Sequence, residues 1–189
     1  FVGQEHFGLA GQGAGQRDAL QFAAAHFFGW GTPFGQHAES LQQQLVPASG
    51  PAPLSHGVLV FALSPAEWLP AARWLRDEFR CEIFLDVTAV DWLGQAPRFE
   101  VVHHFYSTLH KLRVRLKTRV SEADPSVDSL LPLYGSAAFM ERECHDMYGI
   151  AFRGNADLRP ILLYEGFVGH PLRKDYPKQQ EQPLVPYRN

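Results

Sequence analysis

Apolar and polar positions alternate most regularly in residues 110–120, where aliphatic residues are separated by lysines and arginines. An alternation with a period of two predicts a β-strand that has one face in a core and the other in water. Residues 82–90 and 98–107 have the composition of two further strands. A short apolar run at residues 58–63 lies between turn residues and predicts a buried strand.

Two other stretches have apolar positions at helical spacing. The first follows residues 64–67, Ser-Pro-Ala-Glu, which form a capping box with proline at the first helical position. Its apolar face is predicted to consist of Trp68, Ala72, Leu75 and Phe79. Pro70 disfavours a regular helix interior, so this helix is expected to begin irregularly or to kink. The second helix is predicted to begin after Ser136 as its N-cap and to end at Gly149.

These elements predict an α+β fold with two layers, in which a mixed β-sheet is covered by helices. The folded domain is predicted to span residues 54–165. Residues 1–53 contain few charged side chains and are rich in glycine, glutamine and aromatic residues, which predicts an apolar N-terminal arm and linker. Residues 166–189 contain several prolines and are predicted to form an extended C-terminal docking loop and tail.

The composition excludes several classes of protein. With 189 residues, 46% of them hydrophobic and 20% charged, the chain is long enough to bury one core. The formal net charge of −3 gives no reason to expect nucleic-acid binding. Cys81 and Cys144 are too few for a four-cysteine zinc or iron–sulfur site, and both are predicted to be buried thiols. His103 and His104 are adjacent on a strand and point to opposite faces, which disfavours joint metal binding.

A basic stripe is predicted on the outer face of the strand at residues 110–120. It consists of Lys111, Arg113, Arg115, Lys117 and Arg119. A solvated sheet face is the default interpretation of such a stripe. A docking surface for an acidic partner is the alternative.

The second predicted helix has a charged face. Glu141 and His145, and likewise Arg142 and Asp146, stand four residues apart, so the pattern is typical of a solvated surface with paired charges. A hypothesis from another class is a stand-alone metallohydrolase. It would use His145, Asp146, His170 and Asp175, although no zinc-protease or hydrolase motif accompanies them.

A dense polar cluster near the C-terminus is bracketed by glycines and prolines. His170, Arg173, Lys174 and Asp175 lie among Gly166, Gly169, Pro171 and Pro177. Such a run cannot continue a helix or a central strand, so it predicts a fixed surface loop of the kind that carries contacts. As this loop folds back, Glu141 and Glu143 are expected to pair with Arg159 or Arg173.

Three separated blocks, ERECHDMYGIAF, DLRPIL and GFVGHPLRKDYP, resemble in content and order the signature of the 30-kilodalton subunit of respiratory complex I, the proton-pumping NADH:quinone oxidoreductase. The residues that fit the signature, and that are expected to dock on partners, are Glu141, Arg142, Glu143, Asp146, Gly149, Asp157, Arg159, Gly169, His170, Pro171, Arg173, Lys174, Asp175 and Pro177. Asn155 and Ala156 depart from the His-Pro that is common in the family.

The resemblance implies a subunit of H⁺-translocating NADH:ubiquinone reductase that has no catalytic site of its own. Its implied role is structural, in the quinone-reducing module of the peripheral arm, where it orients the 49-kilodalton subunit and its neighbours. It is expected to bind no cofactor, because FMN and the iron–sulfur clusters belong to partner subunits. The tail from Leu172 to Asn189 is expected to lie along a partner.

The resemblance leaves the location and the type of complex open. The matrix side of the mitochondrial inner membrane is expected, because the apolar N-terminal extension suggests an imported chain. The cytoplasmic side of a bacterial plasma membrane is the alternative. Within the family, the equivalent subunit of a membrane-bound hydrogenase complex is the second interpretation.

Overall fold

The computed structural model of the chain describes residues 54–55, 57–179 and 182. The predicted N-terminal arm at residues 1–53 and the tail after residue 182 lie outside the described residues. No helix in the described part of the chain is both long enough and apolar enough to cross a bilayer.

The centre of the fold is a five-stranded mixed sheet. Its strands are β1 (Leu54–Ser55), β2 (Val58–Leu63), β3 (Ile83–Asp91), β4 (Phe99–Ser107) and β5 (Leu112–Val120). Their order across the sheet is β1-β2-β5-β4-β3. β2 and β5 are parallel, and the other neighbours are antiparallel. Each of the four predicted strands is therefore confirmed, with ends that differ by one or two residues.

Two helices and a small second sheet complete the α+β architecture. The helices are α1 (Trp68–Asp77) and α2 (Ala137–Tyr148). β6 (Ser126–Asp128) and β7 (Ala151–Arg153) pair in parallel on either side of α2 in sequence. Pro70 lies in the first turn of α1, where a missing N–H costs little, and the helix begins at Trp68 rather than directly after Ser64. Ser136 precedes α2, but its side chain makes no capping hydrogen bond.

The core lies between α1, the sheet and the segment that leads into α2. Trp68, Ala72 and Leu75 of α1 are buried as predicted, and so is Phe79, which lies after the end of the helix. The Trp68 indole stacks on the His103 imidazole with 4.1 Å between ring centroids. Burial lowers the pKa of His103 to about 3, so this side chain is neutral. Cys81 and Cys144 are buried free thiols, as predicted, and burial raises the pKa of both, that of Cys81 to about 12.

Candidate functional site

The C-terminal end of α2 is capped by a loop that returns to it from later in the sequence. The last carbonyls of a helix have no partner within the helix and need other donors. Four donors bind the last four carbonyls of α2. The Gly149 amide donates to His145 O (2.7 Å), and the Leu172 amide donates to Met147 O (3.1 Å). His170 Nδ1 donates to Asp146 O (2.9 Å), and Arg173 Nε donates to Tyr148 O (2.6 Å). The third signature block therefore completes the helix that the first block forms.

Gly149 is required at this junction for two reasons. Its backbone is left-handed, with φ of 71°, as is common just past a helix end. A Cβ atom at this position would also overlap the imidazole of His170 and the guanidinium of Arg173. The prediction that Gly149 ends the helix is confirmed, and the close approach of two other signature residues explains why no larger residue fits.

Glu141 is buried, and its hydrogen bonds connect α2 to the segment before this helix and to the segment after β7. Its carboxylate accepts hydrogen bonds from Ser129 Oγ (2.7 Å), the Leu130 amide (2.7 Å) and Asn155 Nδ2 (2.9 Å). Burial raises the pKa of the Glu141 carboxyl, and these hydrogen bonds act in the opposite direction. Asn155, which departs from the family pattern, thus supplies an N–H donor to a buried signature carboxylate.

Two further charged side chains of α2 bind the backbone of the loop rather than each other. Asp146 Oδ2 accepts the amides of Ile161 (2.7 Å), Leu162 (3.0 Å) and Leu163 (3.4 Å). Arg142 donates to the carbonyls of Arg159 and Pro160, both at 2.9 Å. The predicted solvated face of paired charges is therefore wrong, because an irregular backbone next to the helix provides unpaired groups that these side chains satisfy.

The expected pairing of Glu141 and Glu143 with Arg159 or Arg173 is also wrong. Arg159 pairs with Asp157 at 2.7 Å on the surface, and Arg173 donates to the end of α2. Glu143 is exposed. The carboxylate of Glu141 lies among neutral donors instead.

An ion cluster around the buried Arg98 fixes the far end of the loop, and the sequence analysis missed it; Asp91 is also buried, whereas Glu122 and Asp175 are exposed. Arg98 is 4% exposed and pairs with Asp91 (2.8 Å), Asp175 (2.8 Å) and Glu122 (2.5 Å). Asp91 also accepts the Lys174 amide at 2.8 Å. Hydrogen bonds from Arg98 lower the pKa of both Asp91 and Asp175. Asp91 ends β3 and Arg98 directly precedes β4. Their positions on the two sides of this turn were the one feature of the sequence that could have predicted their pairing.

Two arginines of this region lie against the aromatic ring of Phe99. The Cζ atom of Arg98 is 4.9 Å from the ring centroid, and that of Arg173 is 5.0 Å away. Cations at these distances from an aromatic ring are attracted to it. The strand β4 thus contacts the loop through its first residue as well as through Arg98.

The loop of residues 157–175 carries an apolar surface that the sequence analysis did not single out. Ile161, Leu162, Val168 and Leu172 are exposed. Gln182 holds part of this surface, since its side-chain amide accepts the Val168 N–H at 3.0 Å and donates to the Val168 carbonyl at 2.7 Å. Gly169 and Pro171 lie beside His170 in this loop, and Pro177 follows it as an exposed residue.

The four residues of the metallohydrolase hypothesis do not form one cluster. His145, Asp146 and His170 lie together, with 6.2 Å between the two imidazole centroids. Asp175 lies with Arg98 instead. Within the described ranges, no three or more His, Cys, Asp or Glu side chains are grouped so as to hold a metal ion.

The basic stripe remains on the sheet surface. Arg113 is exposed, whereas Arg115, Lys117 and Arg119 are half-buried. Lys117 pairs with Glu100 at 3.4 Å, and the Cζ atom of Arg119 lies 5.5 Å from the Trp92 ring centroid. Lys111 lies in the turn before β5 with φ of 54° and so stands outside the strand that was predicted to include it.

Two comparisons of sequence identify relatives of the chain. The family model of the respiratory-chain NADH dehydrogenase, 30-kilodalton subunit, matches residues 61–182. The C subunit of the NADH-quinone oxidoreductase of Citrifermentans bemidjiense is 50% identical over 111 residues, which are 59% of this chain and 69% of that protein. The corresponding protein of Rhodopseudomonas palustris is 40% identical over 148 residues, which are 77% of this chain and 74% of that protein.

Solved structures share the fold. The trypsin-resistant fragment of Nqo5 matches with a TM-score of 0.59 and 25% identity, over 65% of this chain and 99% of the fragment. A chain of an archaeal membrane-bound sulfane sulfur reductase matches with a TM-score of 0.60 and 22% identity, over 77% and 86% of the two chains. The second likeness shows the fold alone. With the family model covering more than half of its length, the chain belongs to the family of the 30-kilodalton subunit of the respiratory-chain NADH dehydrogenase.

Proposed function

We propose that this chain is a structural subunit of an NADH-quinone oxidoreductase complex and that its 157–175 loop docks on the 49-kilodalton subunit. The family match supports the first part of the proposal. The observation that carries the second part is the apolar surface of the loop, where Leu162 is 60%, Val168 69% and Leu172 51% exposed. Large apolar side chains fixed in exposed positions on one loop favour a protein contact.

The way in which the loop is held also favours docking. Its two ends and its middle are bonded to α2 and to the Arg98 cluster (Arg98, Asp91, Asp175 and Glu122). A loop that is already ordered loses less conformational entropy when a partner binds. In this proposal most signature residues position the loop, and its apolar side chains make the contact.

In this proposal the chain contains no redox centre, and FMN and the iron–sulfur clusters belong to partner subunits. NADH oxidation and quinone reduction then occur elsewhere in the complex. The two relatives described above are bacterial, which supports the cytoplasmic side of a bacterial plasma membrane more directly than a mitochondrial location.

Replacement of one exposed leucine tests the proposal. Leu162→Asp places a charge in the apolar surface, and we expect recovery of the 49-kilodalton subunit with this chain to fall at least about tenfold, as for an interface anchor. NADH:quinone reductase activity of the membranes should fall in parallel. Leu109→Asp is the matched control, since Leu109 is 66% exposed in the β4–β5 turn, at the opposite end of β4 from Arg98.

Normal assembly of the Leu162→Asp variant would contradict the docking proposal. The identity of the co-purified proteins also separates the two types of complex. An NADH-oxidising flavoprotein supports the oxidoreductase, whereas a nickel–iron subunit supports the hydrogenase alternative.

A further inference from the structure

A cavity of about 140 Å³ lies between the last turns of α2 and the 157–175 loop. Leu158, Leu163, Tyr164 and Phe167 provide its apolar and aromatic walls. His145 and Asp146 provide polar groups on the helix side. Leu163 and Phe167 of its wall are the sequence neighbours of the exposed Leu162 and Val168, so one loop forms both the cavity wall and the proposed docking surface.

The volume of the cavity matches one aromatic ring. An enclosed apolar cavity of about 150 Å³ in a protein core is known to bind benzene, and this cavity offers a similar volume, although it is open to solvent and has polar as well as apolar walls. The aromatic walls also favour a ring, because offset or edge-to-face ring pairs add to the effect of burial. A ring is therefore the occupant that the size and the walls of this cavity favour.

His145 and Asp146, which line the cavity together with His170, offer hydrogen-bond acceptors. The three loop amides bind Asp146 through Oδ2, so Oδ1 accepts none of these bonds. The imidazole Nδ1 of His145 lies 2.9 Å from Ile150 O and must donate to it, because a carbonyl oxygen only accepts. In the tautomer that donates from Nδ1, the His145 ring is an acceptor at Nε2. A ring that carries an O–H or N–H donor matches this wall better than a plain hydrocarbon ring.

The walls are fixed before any partner arrives. Asp146 holds the backbone of Ile161 and Leu162, and Tyr164 donates its hydroxyl to Gln182 Oε1 at 3.3 Å. Anchor side chains at interfaces commonly fill preformed pockets of this kind. Building on the docking function proposed above, we propose that the cavity receives a tyrosine or tryptophan side chain of the docked 49-kilodalton subunit.

Small aromatic probes test the site in the full-length chain. We expect phenol to produce saturable NMR shifts at the amides of Leu163, Phe167 and His170, at millimolar concentration. Toluene has a similar ring without a donor and should bind roughly fivefold more weakly, as the loss of one hydrogen bond allows. An absence of saturable shifts with phenol, or equal binding of phenol and toluene, would overturn the proposal.

A variant that fills the cavity tests whether the partner uses it. Leu163→Trp should weaken phenol binding at least about tenfold and reduce recovery of the 49-kilodalton subunit, while Leu109→Trp changes neither. Unchanged recovery of the partner with a filled cavity would refute the role of the cavity. If recovery still falls with Leu162→Asp, the docking function stands and only the aromatic anchor is lost.

Discussion

The 157–175 loop region and the basic stripe on β5 are both dense in charge, yet their charged side chains differ in burial and in the groups that they bind. In the loop region, Glu141, Asp146 and Arg98 are buried and bonded to backbone or to other charges. In the stripe, Arg113 is exposed, Arg115, Lys117 and Arg119 are half-buried, and Lys117 makes a longer pair with Glu100 at 3.4 Å. The two regions therefore differ in what lies next to the charge.

The difference follows from the backbone beside each region. A strand inside a sheet has its N–H and C=O groups paired with its neighbours, so its outward charges find no unpaired backbone groups beside them. A helix end and an irregular loop leave donors and acceptors unpaired, and charged side chains can satisfy them. A charge pattern in the sequence thus indicates a surface only where the neighbouring backbone is already paired.

The largest expected effect comes from the Arg98 cluster. Arg98→Met removes the partner of the buried Asp91 carboxylate, and we expect the free energy of unfolding to fall by about 3–5 kcal/mol. Arg113→Met removes a cation from the stripe and should change it by less than about 0.5 kcal/mol. Urea denaturation of both variants measures the difference. Equal losses of unfolding free energy in the two variants would contradict the claim that the charges of the two regions contribute differently to stability.

A smaller effect is expected from acid. Hydrogen bonds from Arg98 place the folded-state pKa of Asp91 and Asp175 below the ordinary value of 3.8. Their contribution to stability is therefore complete above pH 3.8 and is lost as the pH falls through the lowered values. The melting temperature should therefore decrease as the pH is lowered from about 4.

Asp175→Asn provides the control for the acid effect. This variant lacks one of the two titrating carboxylates, so its melting temperature should depend less on pH below about pH 4 than that of the unaltered chain. The same pH dependence in both proteins would mean that Asp175 contributes nothing through Arg98. Melting curves by circular dichroism between pH 2 and 7 make the comparison.

Four of the seven strands in the described residues, both helices and the end of α2 could be predicted from the sequence, whereas the short strands β1, β6 and β7 were missed. Alternation along β5 and the glycine at position 149 are local signals, and the structure confirms both. The partners of Glu141 and Arg98 could not be predicted. Glu141 bonds to Leu130 and Asn155, 11 and 14 residues away, and Arg98 to Asp175, 77 residues away. Only the tertiary fold brings these groups together.

The resemblance identified the signature residues but did not separate their roles. They were all expected to dock on partners, yet Glu141, His170 and Arg173 bond within the chain. The exposed side chains of Leu162 and Val168 belong to no charge pattern. The polar residues that bond to the backbone of the loop form a charge pattern that the sequence shows, whereas the exposed apolar residues of the proposed docking surface do not.

Amide hydrogen exchange tests the central claim that the signature residues fix the loop against α2. The amides of Ile161 and Leu172 donate to Asp146 Oδ2 and Met147 O, so we expect them to exchange at least about 100-fold more slowly than in an unstructured peptide. Gly149→Ala should reduce this protection about tenfold or more, because the backbone at position 149 is left-handed and the added Cβ atom overlaps His170. The amide of Val102 in β4 should stay protected in this variant. Exchange of Ile161 and Leu172 at unstructured rates in the unaltered chain would contradict the account.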